Sequence, residues 1–322
     1  MCVGIAASQT YRPANPHTER HNAMNTGWQV PSHYDTLAED SVRQRQEDAI
    51  AGVRVLNGFA KGLLIREAVN AVKSDAVCVV DLACGRGGDV GRFTRAAGDR
   101  PLTYVGLDGS ANQITAARAR EASGNWRLQA QSRLAWAVCD CFGPDAVRAA
   151  RAIGPARHHV VSIQMAIHYA AESRARMEAA LDNVAALCAP GGVLAITTTD
   201  WERVVAHATL AADGDAAATD VCSVTLQLPW HDEFGAKVRF KLGSRVDDDE
   251  WLVYRPVVQA MLEERGFQLV HWTNLQALLA DSLRAPAVYA EWRAHARATI
   301  TAADWDVVGL YCAALFVKTT HE

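Results

Sequence analysis

Apolar residues recur at Ile50, Val53, Leu56, Ala60, Leu64 and Ala68, steps of three and four that place them along one side of a helix. The stretch from Asp40 to Val72 therefore predicts one or two amphipathic helices. Residues 1–30 mix Pro, Asn, His, Thr and Gly without any period and read as a tail.

From residue 77 the pattern changes. Val77-Cys78-Val79-Val80-Asp81-Leu82 is a short β-branched run suited to a strand covered on both faces. A glycine cluster follows it, then a helix-like stretch over 89–97. Leu102–Asp108 predicts a second strand, and Ser110–Ala122 a helix with Ser110 as its N-cap. Leu134–Asp140, His159–Ile163 and Val193–Thr199 supply three more strands. Between the last two, Met177, Leu181, Val184 and Cys188 keep a helical stripe that ends before a Pro190-Gly191-Gly192 turn. Alternating strands and helices imply right-handed crossovers and a doubly wound, mostly parallel α/β sheet.

After Thr199 the regularity breaks. Residues 211–220 read as a small-residue, acidic loop. Val224, Leu226 and Leu228, then Val238, Phe240 and Leu242 against Lys237, Arg239 and Lys241, alternate as half-buried antiparallel strands. Pro256 and Gly266 bracket a helix. Trp305–Lys318 reads as one long closing strand. The expected organisation is a tail over 1–30 and one domain over 31–322. Its core sheet spans about 75–200 and 305–318, and an antiparallel and helical insertion over about 201–304 is built upon that sheet.

Half of the 322 residues are hydrophobic, about a fifth are charged, and the formal net charge is −4. That charge argues against a protein that coats nucleic acid non-specifically, but leaves room for a local basic groove. The eight cysteines are scattered, with no C-x-x-C pair or histidine partner pattern, so no metal site is expected. Free buried thiols suit a reducing compartment, and neither a secretory leader nor a membrane span is read from the chain.

The chemistry concentrates at Asp81-Leu82-Ala83-Cys84-Gly85-Arg86-Gly87-Gly88-Asp89, where the first strand ends. Glycines there let backbone approach a ligand and turn into a helix start. Val90 occupies the third glycine position of the dinucleotide fingerprint, which weakens a nicotinamide or flavin reading. Asp108 ends the second strand, where a carboxylate accepts hydrogen bonds from both hydroxyls of a ribose. Asp140 ends the third, where it can meet an adenine amino group. Taken singly, each acid is as well explained as a cap. Three acids in register with a glycine loop favour an adenosine-bearing cofactor.

That combination resembles the class I (Rossmann-like) S-adenosylmethionine-dependent methyltransferases. Further segments resemble one family within them, the mRNA cap guanine-N7 methyltransferases, from about His33 to Lys318. These are His33-Tyr34-Asp35, Arg54–Lys61, Asp81–Asp89, Gln164-Met165-Ala166-Ile167-His168-Tyr169, Pro190-Gly191-Gly192, Phe234-Gly235, Glu250–Tyr254 and Trp305…Tyr311. The resemblance implies a methyl donor, S-adenosylmethionine, which leaves as S-adenosylhomocysteine. It implies cofactor contacts at Lys61, Ala83, Gly85, Asp108, Asp140, Gln164 and Tyr169, and cap contacts at Asn57, Gly58, Arg86, Arg92, Arg120, His168, Glu250 and Tyr311.

It also implies transfer to N7 of the terminal guanosine of a GpppN-RNA. No residue acts as acid or base, and Glu250, His168 and Tyr169 position the reactants. The partners it implies are 5′-capped RNA and, in the cell, other capping enzymes or a transcribing polymerase. The compartment it implies is the nucleus, or the cytoplasm for a viral member.

The chain departs from the family in four places: Ala83 stands for glycine, Asn57-Gly58 for an asparagine pair, Arg86 for lysine, and Thr199-Asp200 for proline–asparagine. An alanine at 83 is expected to fit only with a negative φ. Bland readings stand beside the functional ones: Tyr311 as core, the arginines as solvated helix faces, and Asp247-Asp248-Asp249 as a solvated loop leading to Glu250. A class I enzyme acting on a small molecule or another RNA base is the competing activity, and a catalytically silent cap-binding module is a third reading.

Overall fold

A computed structural model describes residues 49–212, 222–226, 233–243, 246–296 and 299–320. The expected tail over 1–30, the His33–Asp35 segment and most of the acidic loop lie outside the described residues. Helix α1, Ala51–Ala71, opens the described chain, with Val53, Leu56, Ala60, Leu64 and Ala68 all buried, so the apolar stripe faces the core as the spacing predicts.

The core sheet is built from β1 (Val77–Leu82), β2 (Leu102–Asp108), β3 (Arg133–Val138), β4 (His158–Gln164) and β5 (Cys188–Thr199). Between them run α2 (Val90–Ala97), α3 (Ala111–Ala122), α4 (Ala146–Ile153) and α5 (Arg174–Leu187), with a 3₁₀ turn over Ile167–Glu172 ahead of α5. Ser110 caps α3 as predicted, its hydroxyl accepting from the Gln113 N–H. Beyond β5 come α6 (Trp201–Ala212), β6 (Cys222–Leu226), β7 (Lys237–Leu242), β8 (Val246–Trp251), α7 (Arg255–Glu263), β9 (Phe267–Asn274), α8 (Leu275–Ser282), α9 (Pro286–His295), α10 (Ala302–Val308) and β10 (Tyr311–Lys318).

The seven-stranded sheet has the order β3-β2-β1-β4-β5-β10-β9. Its first five strands are parallel, while β10 runs antiparallel to both β5 and β9. The chain winds outward from β1 to β2 and β3, then returns to place β4 on the other side of β1. That reversal opens a crevice beyond the carboxyl ends of β1 and β4, where ligands bind in such sheets.

Several expectations need correction. Trp305 lies in α10, not in the closing strand. Thr301 caps that helix and Asp304 bonds back to the Thr301 N–H, so a capping box starts a helix where the apolar pattern suggested a strand. β9 falls within the stretch expected to lie upon the sheet, yet forms its edge. Pro190-Gly191-Gly192 is part of β5 rather than a separate turn, and the register shifts there while Gly191 takes a φ of +71°.

The Asp247–Asp249 run is strand, not loop. β6, β7 and β8 form a small antiparallel sheet in which the acids stand across from the basic edge of β7. Arg239 reaches Asp247 at 2.9 Å and Asp249 at 3.4 Å, and Lys237 reaches Asp249 at 3.5 Å. Opposite charges across strands offset the low strand preference of aspartate. On the other face Val238, Phe240 and Leu242 are buried. Backbone bonds from Gly235 N to Ala171 O and from Leu252 N to Ala236 O, both 2.9 Å, fasten the approach to β7 to the 3₁₀ turn and to the exit from β8.

Candidate active site

At the end of β1 the backbone takes three left-handed positions in five residues: Ala83 at φ +62°, Gly85 at +54° and Gly87 at +70°. Ala83 thus adopts the conformation its side chain disfavours, against the negative φ expected of it, at a cost of about 1–2 kcal/mol. Its neighbours hold it there. Its N–H points at the Cys141 Sγ (3.2 Å), Cys84 N–H donates to Leu107 O (2.9 Å), and Gly85 N–H donates to Asp108 Oδ2 (2.7 Å). At Gly87 a side chain is excluded, since a Cβ would come within 2.8 Å of the Trp136 ring.

This turn forms one wall of a cavity of about 340 Å³ at the crevice. All seven residues predicted to hold the cofactor line it: Lys61, Ala83, Gly85, Asp108, Asp140, Gln164 and Tyr169. Asp108 is fixed by Gly85 N–H on one oxygen and Ser110 N–H (2.9 Å) on the other. Gln164 donates to Ala195 O and accepts from Thr197 Oγ1, both at 3.1 Å, so its side chain is locked to β5. Lys61 reaches over from α1 and pairs with Asp89 at 2.9 Å.

Asp140 stands two residues beyond the end of β3 rather than on it, in the turn before α4. Arg176 of α5, which sequence reasoning missed, holds it through two hydrogen bonds. The same arginine donates through Nε to Tyr169 O at 3.3 Å. Beneath the turn, Tyr104 donates to the buried Asp81 carboxyl at 2.5 Å. Burial, then the charge of Asp89, pushes the Asp81 pKa up to about 7.

The residues predicted to hold the cap fall into three groups. Arg86 and Arg120 come together, since Arg120 donates to Arg86 O (3.2 Å) and Arg86 to Gln113 Oε1 (3.0 Å), with Arg86 on the cavity wall. Arg92 does not join them. It turns to α1 instead, donating to Gly58 O (2.8 Å) and Asp89 Oδ1 (2.6 Å), and with Gly58 it lines a neighbouring groove. Asn57 sits on α1 beside it, its Oδ1 buried with no hydrogen-bond partner among the described residues.

His168, Glu250 and Tyr311 make the third group. The His168 ring packs on Tyr169, centroids 4.2 Å apart, and its Nε2 lies 3.7 Å from Glu250 Oε1, beyond hydrogen-bond range. Burial pushes the His168 pKa down to about 3, so the ring is neutral. Tyr311 is mostly buried and packs on Phe240 of β7, ring centroids 5.9 Å apart. The bland reading of this tyrosine as core therefore holds for most of its surface.

A cavity with an acid fixed at the β2 end, an acid beyond β3 and a bare turn at β1 suits an adenosine moiety. Residues 17–319 match the model of the mRNA (guanine-N(7))-methyltransferase domain. The chain belongs to that family. As a methyltransferase of this family it uses S-adenosylmethionine as methyl donor.

Two plant members are similar over most of their length. The "mRNA cap guanine-N(7) methyltransferase 1" of Oryza sativa is 28% identical over 90% of this chain and 80% of its own, and that of Arabidopsis thaliana is 28% identical over 91% and 82%. Among solved structures, an S-adenosylmethionine-dependent methyltransferase from Clostridium acetobutylicum overlays with a TM-score of 0.48 at 9% identity, covering 81% of this chain and 91% of that one. Among the described residues no cluster of three or more His, Cys, Asp or Glu could hold a metal ion, and no helix is long and apolar enough to cross a membrane.

Proposed function

We propose that this chain methylates N7 of the terminal guanosine of a 5′-capped RNA by direct in-line displacement, without a general base. The observation that carries the reading is the position of Tyr169. Its ring lines the donor cavity on one side and touches His168 on the other, with Glu250 next in line. Two residues, Tyr169 and His168, thus stand between a nucleoside-sized cavity and a buried carboxylate with the hydrogen-bonding sense to recognise guanine.

S-adenosylmethionine supplies a methyl carbon made electrophilic by its sulfonium. Guanine N7 brings a free lone pair and no proton, so the protein's work is alignment. Glu250 accepts from the guanine N1–H and N2 amino group, donors that adenine cannot present together. Its negative charge also stabilises the positive charge that appears on the ring as N7 is methylated. His168 complements it by staying neutral, because a second cation beside the product would oppose the transfer. Arg86 and Arg120 stand where charge-assisted hydrogen bonds can hold the phosphate bridge; Arg92 is committed elsewhere. In a cellular setting the reaction belongs to the nucleus.

The test uses labelled S-adenosylmethionine and unmethylated capped RNA, followed by nuclease digestion. Label on N7 of the terminal guanosine supports the reading. Label on an internal base, or transfer only to small molecules, would replace it with the competing class I activity.

A further inference from the structure

The groove that takes Gly58 and Arg92 away from the cap set lies between α1, α2 and α9 and encloses about 300 Å³. Along α1 a single row of positions four apart, Arg54, Gly58, Gly62 and Arg66, faces it. Two arginines thus flank two glycines. Arg92 and Arg95 of α2 add two more guanidinium groups, so four arginines stand against two carboxylates, Glu291 paired with Arg66 and Asp89 paired with Arg92, each at 2.6 Å. On a chain with a formal charge of −4 this is a local concentration of positive charge.

Glycine is a poor helix former, so two in one row need a reason. At Gly58 a Cβ would come within 2.7 Å of Arg92, whose side chain crosses there. At Gly62 the nearest atom would be 4.0 Å away, so packing does not forbid a side chain, and its absence leaves the floor of the groove bare. At the rim, the half-buried Phe59 and Trp292 meet edge to face with centroids 5.1 Å apart.

We propose that this groove binds the single-stranded RNA that follows the cap. The inference rests on the cap-methylation reading above. Arginines along a bare helix face suit a run of phosphates, and the row from Arg54 to Arg66 spans about 18 Å. The partly exposed rings of Phe59 and Trp292 give bases of any sequence a surface for stacking. The groove also abuts the donor cavity, since Asp89 is held by Arg92 on the groove side and by Lys61 on the cavity side. A transcript held by its cap is therefore delivered to the groove at high effective concentration, which favours RNA over an acidic polypeptide.

The full chain is assayed with a cap dinucleotide and with a capped 15-nucleotide RNA, and binding of the same RNA without a cap is followed by fluorescence anisotropy at several salt concentrations. KM for the capped RNA should be roughly tenfold below that for the dinucleotide. Arg95→Glu, at an exposed position outside the cavity, should abolish most of that difference and leave the dinucleotide KM unchanged; Trp292→Ala should do so in part. Arg95→Ala should reduce the salt slope for uncapped RNA by about 0.7.

If neither substrate is methylated, the functional reading and the groove fall together. Equal KM values for the two substrates, or an RNA preference untouched by Arg95→Glu and Trp292→Ala, would overturn the groove alone. So would uncapped RNA failing to bind the wild-type chain while poly-glutamate does, because the groove would then be a polypeptide site.

Discussion

Arg176 holds both oxygens of Asp140, at 2.9 and 2.8 Å, and its third nitrogen reaches the backbone of Tyr169. One side chain on α5 therefore ties Asp140 to Tyr169, both on the wall of the donor cavity. Arg176→Ala should lower cofactor affinity about tenfold and stability by about 2 kcal/mol, since a largely buried carboxylate loses its partner. Arg176→Lys should recover only part, because an ammonium cannot reproduce the two-pronged contact. Calorimetric titration with S-adenosylhomocysteine checks this, and unchanged affinity in the alanine variant would remove Arg176 from the site.

Ala83 invites a change in the opposite direction. Ala83→Gly relieves the left-handed strain and should raise stability by about 1 kcal/mol in urea denaturation, with the S-adenosylmethionine KM changed less than threefold. A loss of stability would mean that the methyl group's packing outweighs its backbone cost.

Replacing Glu250 by glutamine keeps its shape but turns one acceptor into a donor facing guanine donors. The capped-RNA kcat/KM should fall about 100-fold, equivalent to about 2.7 kcal/mol, with donor affinity unchanged. Equal loss of donor affinity would indicate general damage to the cavity instead of lost base recognition.

Two buried groups should shape the acid stability of the fold in opposite senses. The unfolded chain binds a proton at His168 below about pH 6.5, while the folded chain does not until about 3. The contribution of His168 is thus complete above pH 6.5 and is lost as pH falls towards 3. Asp81, raised to about 7 from 3.8, keeps a proton that the unfolded chain has released. Its contribution is present below about pH 3.8 and is lost as pH rises through 7. Denaturation between pH 4 and 7 should therefore show stability rising more gently with pH in His168→Gln than in the wild type, and more steeply in Asp81→Asn. Parallel curves for all three proteins would contradict both assignments.

The parallel half of the fold was legible because its signals are local: β-branched runs, glycine at the first turn, Ser110 as a cap. The glycine turn, Asp108 and Asp140 could be read from the strand ends, whereas Lys61, Gln164 and Tyr169 were implied only by the family resemblance. What escaped depends on partners distant in sequence. The Asp247–Asp249 run becomes strand only because β7 sets Arg239 and Lys237 across from it, and Arg176 gains its role from an acid 36 residues away. The direction of Arg92 is set jointly by Gly58 on α1 and by Asp89 at the start of its own helix. Helix α10 is different: Thr301 and Asp304 spell a capping box that can be read directly, but the apolar run after Trp305 concealed it.

Every residue lining the donor cavity lies between Lys61 and Tyr169, whereas Glu250 belongs to the three-stranded sheet added after β5. The cavity lining and the buried carboxylate of Glu250 thus come from separate stretches of chain. Exchanging the appended strands while preserving their backbone tether to the core, from Gly235 N–H to Ala171 O, offers a route to retarget the transfer to another nucleophile with the donor cavity left intact.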